Sequence, residues 1–393
     1  MIRLGFVVFF NNNWMGGLNY LKNLLFAITR LPDKRIQPVV FLGKSVTREA
    51  IAFFEPYAEV VTTPLLERSS PLYWLWSFSN KVMNSDFFLE FALRKHRIDV
   101  FSHSMLCGLL NTSAVSWIPD FQHIHLPGMF SGKEIAARNR LFLNLAKKSD
   151  LIILSSQAAC KDFKQHWPDY ADKARVMHFV AQPSRRLLID DPLAEGEVLK
   201  KYAIEEKFFF IPNQFWKHKN HRVVISALKE LKNGGIDILV VCSGAMQEYR
   251  NNEHVVELKE IIEENHLKVR LLGLIDYDDV IVLMKKSIAV INPSLFEGWS
   301  STVEECKSIG KNMILSDIPV HREQCHPDCV YFSPDDSLEL AGIMKKLNAE
   351  YDPKKQKPIC QKSISTLLEQ KTTDFALKYQ SLVLEAMLLK QKK

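Results

Sequence analysis

Asn292-Pro-Ser-Leu-Phe-Glu-Gly-Trp-Ser-Ser-Thr-Val-Glu-Glu-Cys306, entered from the apolar run Ser287–Ile291 and followed by Ser308-Ile-Gly-Lys-Asn312 and a second apolar run, reads as strand, loop, helix, turn, strand. Ser301 and Glu304 stand at capping-box spacing, which predicts Ser301 as the cap of a helix with Thr302, Val303, Glu304 and Glu305 in its first turn and Gly310 at its end. The free N–H groups of such a helix start, approached through Gly298, make an anion site that holds a diphosphate without a metal. Two carboxylates bracket it. Glu297 lies ahead of the helix, and Glu305 lies eight residues later, placed to meet the hydroxyls of a ribose beyond the phosphates. Glu304 is accounted for as the capping partner, and a Gly-containing turn between strand and helix is by itself weak evidence of function.

Outward from this stretch, short runs of Val, Ile, Leu and Phe alternate with helical patterns, the signature of parallel sheets covered by helices on both faces. The expected strands of the first half are Leu4–Phe10, Gln37–Leu42, Val100–Ser102, Ser113–Trp117, Leu151–Ser155 and Ala174–His178. Those of the second half are Phe208–Pro212, Ile238–Ser243, Val269–Leu272, Ser287–Ile291 and Asn312–Leu315. The polar, Pro-containing stretch Gln182–Lys201 between them reads as a hinge, giving an α/β chain of two Rossmann-like domains facing each other across a cleft. The expected division is 1–185, with a closing helix over 374–393 packed back on it, and 195–370. An apolar stripe of Phe375, Leu377, Leu382, Leu384 and Leu388 marks the closing helix.

A chain of 393 residues with 47% hydrophobic content can bury two ordinary cores. No apolar run approaches the roughly 20 residues of a membrane-spanning helix. Met1–Phe10 runs into Asn11-Asn12-Asn13 without a small-residue cleavage site, so it reads as a first buried strand rather than a signal sequence. Seven widely spaced cysteines make no disulfide framework and suit a reducing cytoplasm. Cys325 and Cys329, with His321 and His326 beside them, match no familiar zinc spacing and read as a surface loop. The formal charge of +6 is uneven: residues 1–190 hold 23 Lys+Arg against 15 Asp+Glu. The first half should therefore prefer anionic surfaces. No zinc finger, RNP-type or basic-helix pattern points to nucleic acid, which leaves a phospholipid surface or a phosphorylated acceptor, against the plain alternative of a solvated face. The aromatics of Pro71-Leu-Tyr-Trp-Leu-Trp-Ser-Phe78 and Met129-Phe130 read as packing, with an amphipathic element that meets lipid as the other reading.

Glu297 and Glu305 with seven residues between them, Pro293-Ser294 before and Gly310 after, resemble the E-x7-E donor motif of glycosyltransferase family 4, the large retaining group of GT-B fold. The resemblance covers Phe208 to Gln324 well and the first domain only through short motifs. It implies transfer of a sugar from a nucleotide-diphosphate donor to a glycan or lipid-linked glycan acceptor, with no metal or other cofactor, in a cytoplasmic enzyme that works at the inner face of the membrane. Bacterial surface polysaccharide assembly is the setting it suggests. In Phe208-Phe-Phe-Ile-Pro-Asn-Gln-Phe-Trp-Lys-His-Lys-Asn-His221, Lys219 matches the family's phosphate-binding lysine, while Gln214 stands where an arginine is usual. Asn213 and Gln214 are counted with Lys219, Gly298, Ser300, Ser301, Thr302 and Glu305 as donor-binding. Asn13-Trp-Met-Gly-Gly-Leu-Asn-Tyr20 resembles the family's Gly-Gly loop, which implies that Gly16 and Gly17 let backbone amides approach the phosphates. By position Asp120 and His123, in Trp117-Ile-Pro-Asp-Phe-Gln-His-Ile-His-Leu-Pro127, resemble residues near the transferred sugar, and with Glu297 they form the expected catalytic set. His103 and His125 are read as structural. A GT-B epimerase and a non-catalytic nucleotide-sugar-binding protein remain as rivals; a dehydrogenase would need a G-x-G-x-x-G turn that is absent.

Overall fold

The structure, a computed structural model, describes residues 1–9, 15–83, 86–103, 112–182, 191–246, 253–324, 329–353 and 361–392. It divides into two compact units, Met1–Val180 with Glu369–Lys393, and Ala181–Leu368.

The first unit is built on β1 (Ile2–Val7), β2 (Ile36–Gly43), β3 (Glu59–Thr63), β4 (Val100–Ser102), β5 (Ser113–Ile118), β6 (Leu151–Leu154) and β7 (Ala174–Val176). All pairs are parallel, in the order β3-β2-β1-β4-β5-β6-β7. The second holds β8 (Phe208–Ile211), β9 (Leu239–Cys242), β10 (Val269–Leu271), β11 (Val290–Asn292), β12 (Met313–Ser316) and β13 (Cys329–Phe332), again all parallel, in the order β10-β9-β8-β11-β12-β13. Both orders turn back beside the first strand of the unit, between β1 and β4 and between β8 and β11. At such a point the loops leaving neighbouring strands diverge and open a crevice at the strand ends.

The unbroken apolar runs follow from burial on both faces. Successive side chains of Phe208-Phe-Phe-Ile211 alternate between two cores. Phe209 and Ile211 meet Val224, Leu228 and Leu231 of helix His221–Asn233 and Leu340 and Met344 of helix Ser337–Glu350, whereas Phe208 and Phe210 meet Ile281, Leu283, Val303 and Cys306 on the other side. Each fully buried Val or Leu contributes about 1.5–3 kcal/mol, so the helix face turned to the sheet is held firmly.

Two expected features are corrected. Residues 183–190 of the proposed hinge lie outside the described residues, but Pro192–Lys201 is a helix, capped by Asp191 with Pro192 at its first turn. Its Glu195 is buried between Lys285 and Lys286, each 2.5 Å away, so this part of the stretch is anchored to the second unit. The closing helix is longer than expected, Gln361–Gln391. Its buried face is Phe375, Ala376, Tyr379, Leu382, Val383 and Ala386, while Leu377 and Leu388 are exposed. Leu377 lies only two residues beyond Phe375, about 200° around the helix, and therefore points away. No described helix is long and apolar enough to cross a membrane.

Candidate functional site

In the second unit the expected donor residues gather at the carboxyl ends of β8 and β11, the two strands that flank the turning point. After β8 the chain makes a single 3-10 turn at Lys217–Lys219, closed by Asn220 in the left-handed region (φ 55°). Asparagine tolerates that conformation, and here its Nδ2 donates to the Pro334 carbonyl at 2.8 Å. The turn aims Lys219 at the loop after β11, which is tied to it by the Leu295 N–H donating to the His218 carbonyl at 2.8 Å. Beneath the turn, His221 stacks on Phe215 with ring centroids 4.2 Å apart. Gly244, at the end of β9, fixes the other side: a Cβ there would lie 2.5 Å from the Asn213 carbonyl oxygen, and its φ of 138° is open only to glycine.

Lys219 Nζ and the Ser294 hydroxyl each donate to Glu297 Oε1 at 2.7 Å. Burial by itself would push the Glu297 carboxyl up. The Lys219 ammonium, the neighbouring His321 and these hydrogen bonds outweigh it and bring the pKa down from 4.5 to about 2. Glu297 is therefore a fixed anion at any physiological pH. His321 is fully buried, with Nδ1 2.8 Å from the Ser316 carbonyl oxygen, and burial pushes its imidazole below the usual range.

The helix that follows is Ser301–Ser308, and its cap is Ser300, not Ser301. The Ser300 hydroxyl accepts from the Val303 N–H at 3.4 Å and from Asn292 Nδ2 at 2.8 Å. Ser301 is exposed at the first helical position, and Glu304 does not reach back in a capping box. The reason is Gln324: its Nε2 donates to Glu304 Oε1 at 2.9 Å and to the Ser300 carbonyl at 3.0 Å, and its Oε1 accepts from the Ser300 N–H at 3.1 Å. With the cap thus satisfied, the N–H groups of Ser301 and Thr302 make no hydrogen bond among the described residues, and Gly298 precedes them in a half-exposed bend. Asn213 braces the same start from below, donating to Asn292 Oδ1 at 3.0 Å and accepting from the Thr302 hydroxyl at 3.2 Å. Gly310 ends the helix as expected, with φ 63° and the Lys311 N–H returning to the Cys306 carbonyl at 2.9 Å.

Glu305 belongs to a different part of the site. It is half-buried and accepts from the Tyr277 hydroxyl at 3.2 Å. Burial raises its carboxyl to about 7, against the lowering effect of that hydrogen bond. Gln214 is half-buried and makes no side-chain hydrogen bond among the described residues, while Arg222 is turned toward Glu257, 3.7 Å away.

In the first unit Gly16 and Gly17 lie in the first turn of helix Met15–Thr29 rather than in a loop; residues 10–14 lie outside the described residues. A Cβ on Gly16 would meet nothing within 4 Å, so the helix start is open there. Asp120 and His123 follow β5 but are not hydrogen-bonded to each other. His123, buried in the short helix Gln122–His125, turns its Nε2 to Asn139 Oδ1 at 2.9 Å, and burial lowers its pKa. Asp120 accepts from the Gln122 N–H at 3.0 Å and stands 3.8 Å from Arg138. His103 lies at the end of β4 with φ 54°, between Ser102 Oγ at 2.8 Å and the Tyr20 hydroxyl at 2.6 Å, in a network that Tyr379 closes onto Ser102 at 2.7 Å. His125 pairs with Asp162 at 2.7 Å. Among the described residues no group of three or more His, Cys, Asp or Glu could hold a metal ion; Cys325 and His326 lie outside them.

Residues 197–359 match the family of glycosyl transferases group 1. The chain carries a group 1 glycosyltransferase domain. That domain contains every residue of the second unit expected to bind the donor. A curated relative, the O-antigen chain mannosyltransferase RfbU of Salmonella typhimurium, is 24% identical over 145 residues, which span 36% of this chain and 39% of the relative. Among solved structures, Anabaena HepE in complex with UDP and glucose superposes over 97% of this chain and 99% of its own, with TM-score 0.68 and 17% identity. WaaG, a glycosyltransferase involved in lipopolysaccharide biosynthesis, does so over 99% and 98%, with TM-score 0.59 and 14% identity. The whole chain thus has the GT-B fold around its group 1 domain. Within that domain, sequence reasoning did not single out Asn292, Gln324 or His321 as parts of the site. Gln324 bonds to Ser300 across 24 residues, and no spacing rule reports such a contact.

Proposed function

We propose that this protein is a retaining, metal-independent glycosyltransferase of family 4 that moves a hexose or deoxyhexose from a nucleotide-diphosphate sugar to a glycan or lipid-linked glycan. The observation that carries the reading is the Lys219–Glu297 pair set beside the helix start at Ser300–Thr302, with Glu305 four residues on. The unbonded Ser301 and Thr302 amides, the positive end of the helix and the Lys219 ammonium offset the charge of the departing diphosphate, which is the task a metal would otherwise perform. By their resemblance to the family's Gly-Gly loop, Gly16 and Gly17 are assigned to donor binding as well. Glu297, an anion at working pH, accepts hydrogen bonds from sugar hydroxyls and stabilises positive charge developing on the ring; it is too acidic to serve as a general acid. By their resemblance to residues near the transferred sugar, Asp120 and His123 are assigned to the catalytic set. Glu305 receives the ribose hydroxyls. The acceptor hydroxyl attacks on the face the nucleotide leaves, so the anomeric configuration is kept.

A similar fold supports the donor class: HepE was solved with UDP-glucose as well as with UDP and glucose. RfbU acts in O-antigen synthesis and WaaG in lipopolysaccharide biosynthesis, which favours a surface-polysaccharide acceptor and a cytoplasmic protein working at the inner face of the membrane. The test is a thermal-shift panel of UDP-, GDP-, dTDP-, CMP- and ADP-sugars, with and without EDTA, on wild type and Glu305→Ala. A donor at 100 times its dissociation constant adds about 2.7 kcal/mol, an easily seen shift. One nucleotide class should stabilise the wild type equally with EDTA and fail on the variant. A shift that needs metal, or none at all, would sink the reading; binding without turnover on any acceptor would favour the non-catalytic rival that Gln214 leaves open.

A further inference from the structure

Helices Pro71–Met83 and Phe87–Lys95 of the first unit bury one face each and leave an apolar one outside. Inward, Trp76 is buried and its Nε1 donates to Asp86 Oδ1 at 3.0 Å, while Leu89 and Leu93 join the core around Val39, Phe41 and Phe101. Those contacts fix the rotation of both helices. Outward stand Trp74, Leu75, Phe78 and Val82 on the first helix and Phe87 and Phe91 on the second, with Trp74 62%, Phe78 68% and Phe91 67% exposed. Trp74, Phe78 and Val82 are four residues apart in turn, so they line one stripe; Phe87, Phe91 and Lys95 form another that ends in a cation. Soluble proteins seldom leave such a run open without a use for it.

The charges identify the occupant. Between residues 71 and 97 the acidic residues are Asp86 and Glu90, and both are buried, Asp86 under Trp76 and Glu90 paired with Arg94 at 3.3 Å. Arg94, Lys95 and Arg97 are exposed at the end of the second helix. The face therefore presents aromatic and aliphatic side chains and cations, and no carboxylate. A second copy of this face would bring its cations no partner. An anionic bilayer matches both halves, with acyl chains for the aromatics and lipid phosphates for the cations.

We propose that this helix pair is the surface by which the protein docks, peripherally, on an anionic phospholipid membrane. It stands on these two helices alone and needs no property of the donor site. The full chain is sedimented with vesicles of phosphatidylethanolamine and phosphatidylglycerol, roughly three to one, and with phosphatidylcholine vesicles. Wild type should partition to the anionic vesicles about tenfold more strongly, and Trp74→Ser/Phe78→Ser/Phe91→Ser should lose that preference together with the binding. Lys95→Gln/Arg97→Gln should lose the preference for phosphatidylglycerol and retain weak binding to both. Circular dichroism and the thermal transition control for folding, and Trp74→Ser alone gives a smaller loss in the same direction should the triple variant unfold. Equal sedimentation with both vesicles, none with either, or triple-variant binding equal to wild type would overturn the proposal. So would a wild-type dimer that the triple variant converts to monomer without any vesicle binding.

Discussion

Replacing Glu297 by Gln keeps its shape and removes its charge, which isolates the energy held in the Lys219 pair. The carboxyl is lowered from 4.5 to about 2 in the folded protein, so the unfolded chain takes up its proton first as the pH falls. A depressed carboxylate adds stability that is fully present above the unfolded value and is lost as pH falls toward the folded one. For these two values the linkage relation gives a loss of about 1 kcal/mol by pH 4 and about 2 by pH 3, out of about 3 in all. The assay is urea unfolding of the second unit at steps from pH 7 to pH 3, wild type against Glu297→Gln. Other carboxylates titrate in both proteins, so the difference between the two curves carries the result. The variant should start less stable and converge on the wild type as pH falls. Curves that stay parallel over this range would refute the claim that Lys219 and Ser294 hold a buried anion there.

Lys219→Met leaves that anion buried without its partner and should cost about 3–5 kcal/mol in urea unfolding, much of it recovered in Lys219→Met/Glu297→Leu. Because burial sets the Glu305 carboxyl near 7, and ribose hydroxyls donate to its ionised form, donor affinity measured by calorimetry should rise about tenfold from pH 6 to pH 8 and be flat in Glu305→Gln. Gln324→Leu removes both bonds to the Ser300 backbone; unfolding should be easier by about 1–3 kcal/mol, and donor affinity should fall because the helix start that Gln324 braces is loosened.

What the sequence disclosed depended on how local each feature is. Every apolar run read as a strand became one, because a parallel strand covered on both faces must be apolar throughout, whereas Leu24–Ile28 and Val280–Met284, equally apolar, lie in helices. The strands that were missed, β3 and β13, lie at sheet edges and are half-exposed, so Glu59-Val-Val-Thr-Thr63 and Cys329-Val-Tyr-Phe332 carry mixed residues and no such run. The spacing of Glu297 and Glu305 marked the loop between β11 and helix Ser301–Ser308 as the candidate site. The cap itself was misplaced by one residue, because the choice between Ser300 and Ser301 is made by Gln324 and Asn292, whose contacts come from neighbouring loops. Asp120 and His123 are placed near the transferred sugar by position alone; that helix Gly132–Lys148 gives the His123 ring to Asn139 is something no spacing reports.

The long helix Gln361–Gln391 crosses the boundary between the units, and from residue 369 onward it supplies Phe375, Tyr379, Leu382 and Val383 to the core of the first. During synthesis, therefore, the first unit cannot close when its own strands have emerged. It waits while residues 181–368 are made, about 10–40 s at common elongation rates, with the seat of that helix open to water and to chaperones. The second unit is contiguous and can fold in the meantime. A ribosome that stalls before residue 369 thus releases a chain whose group 1 domain is complete and whose first unit is not, and which should be cleared by proteases from its amino-terminal side.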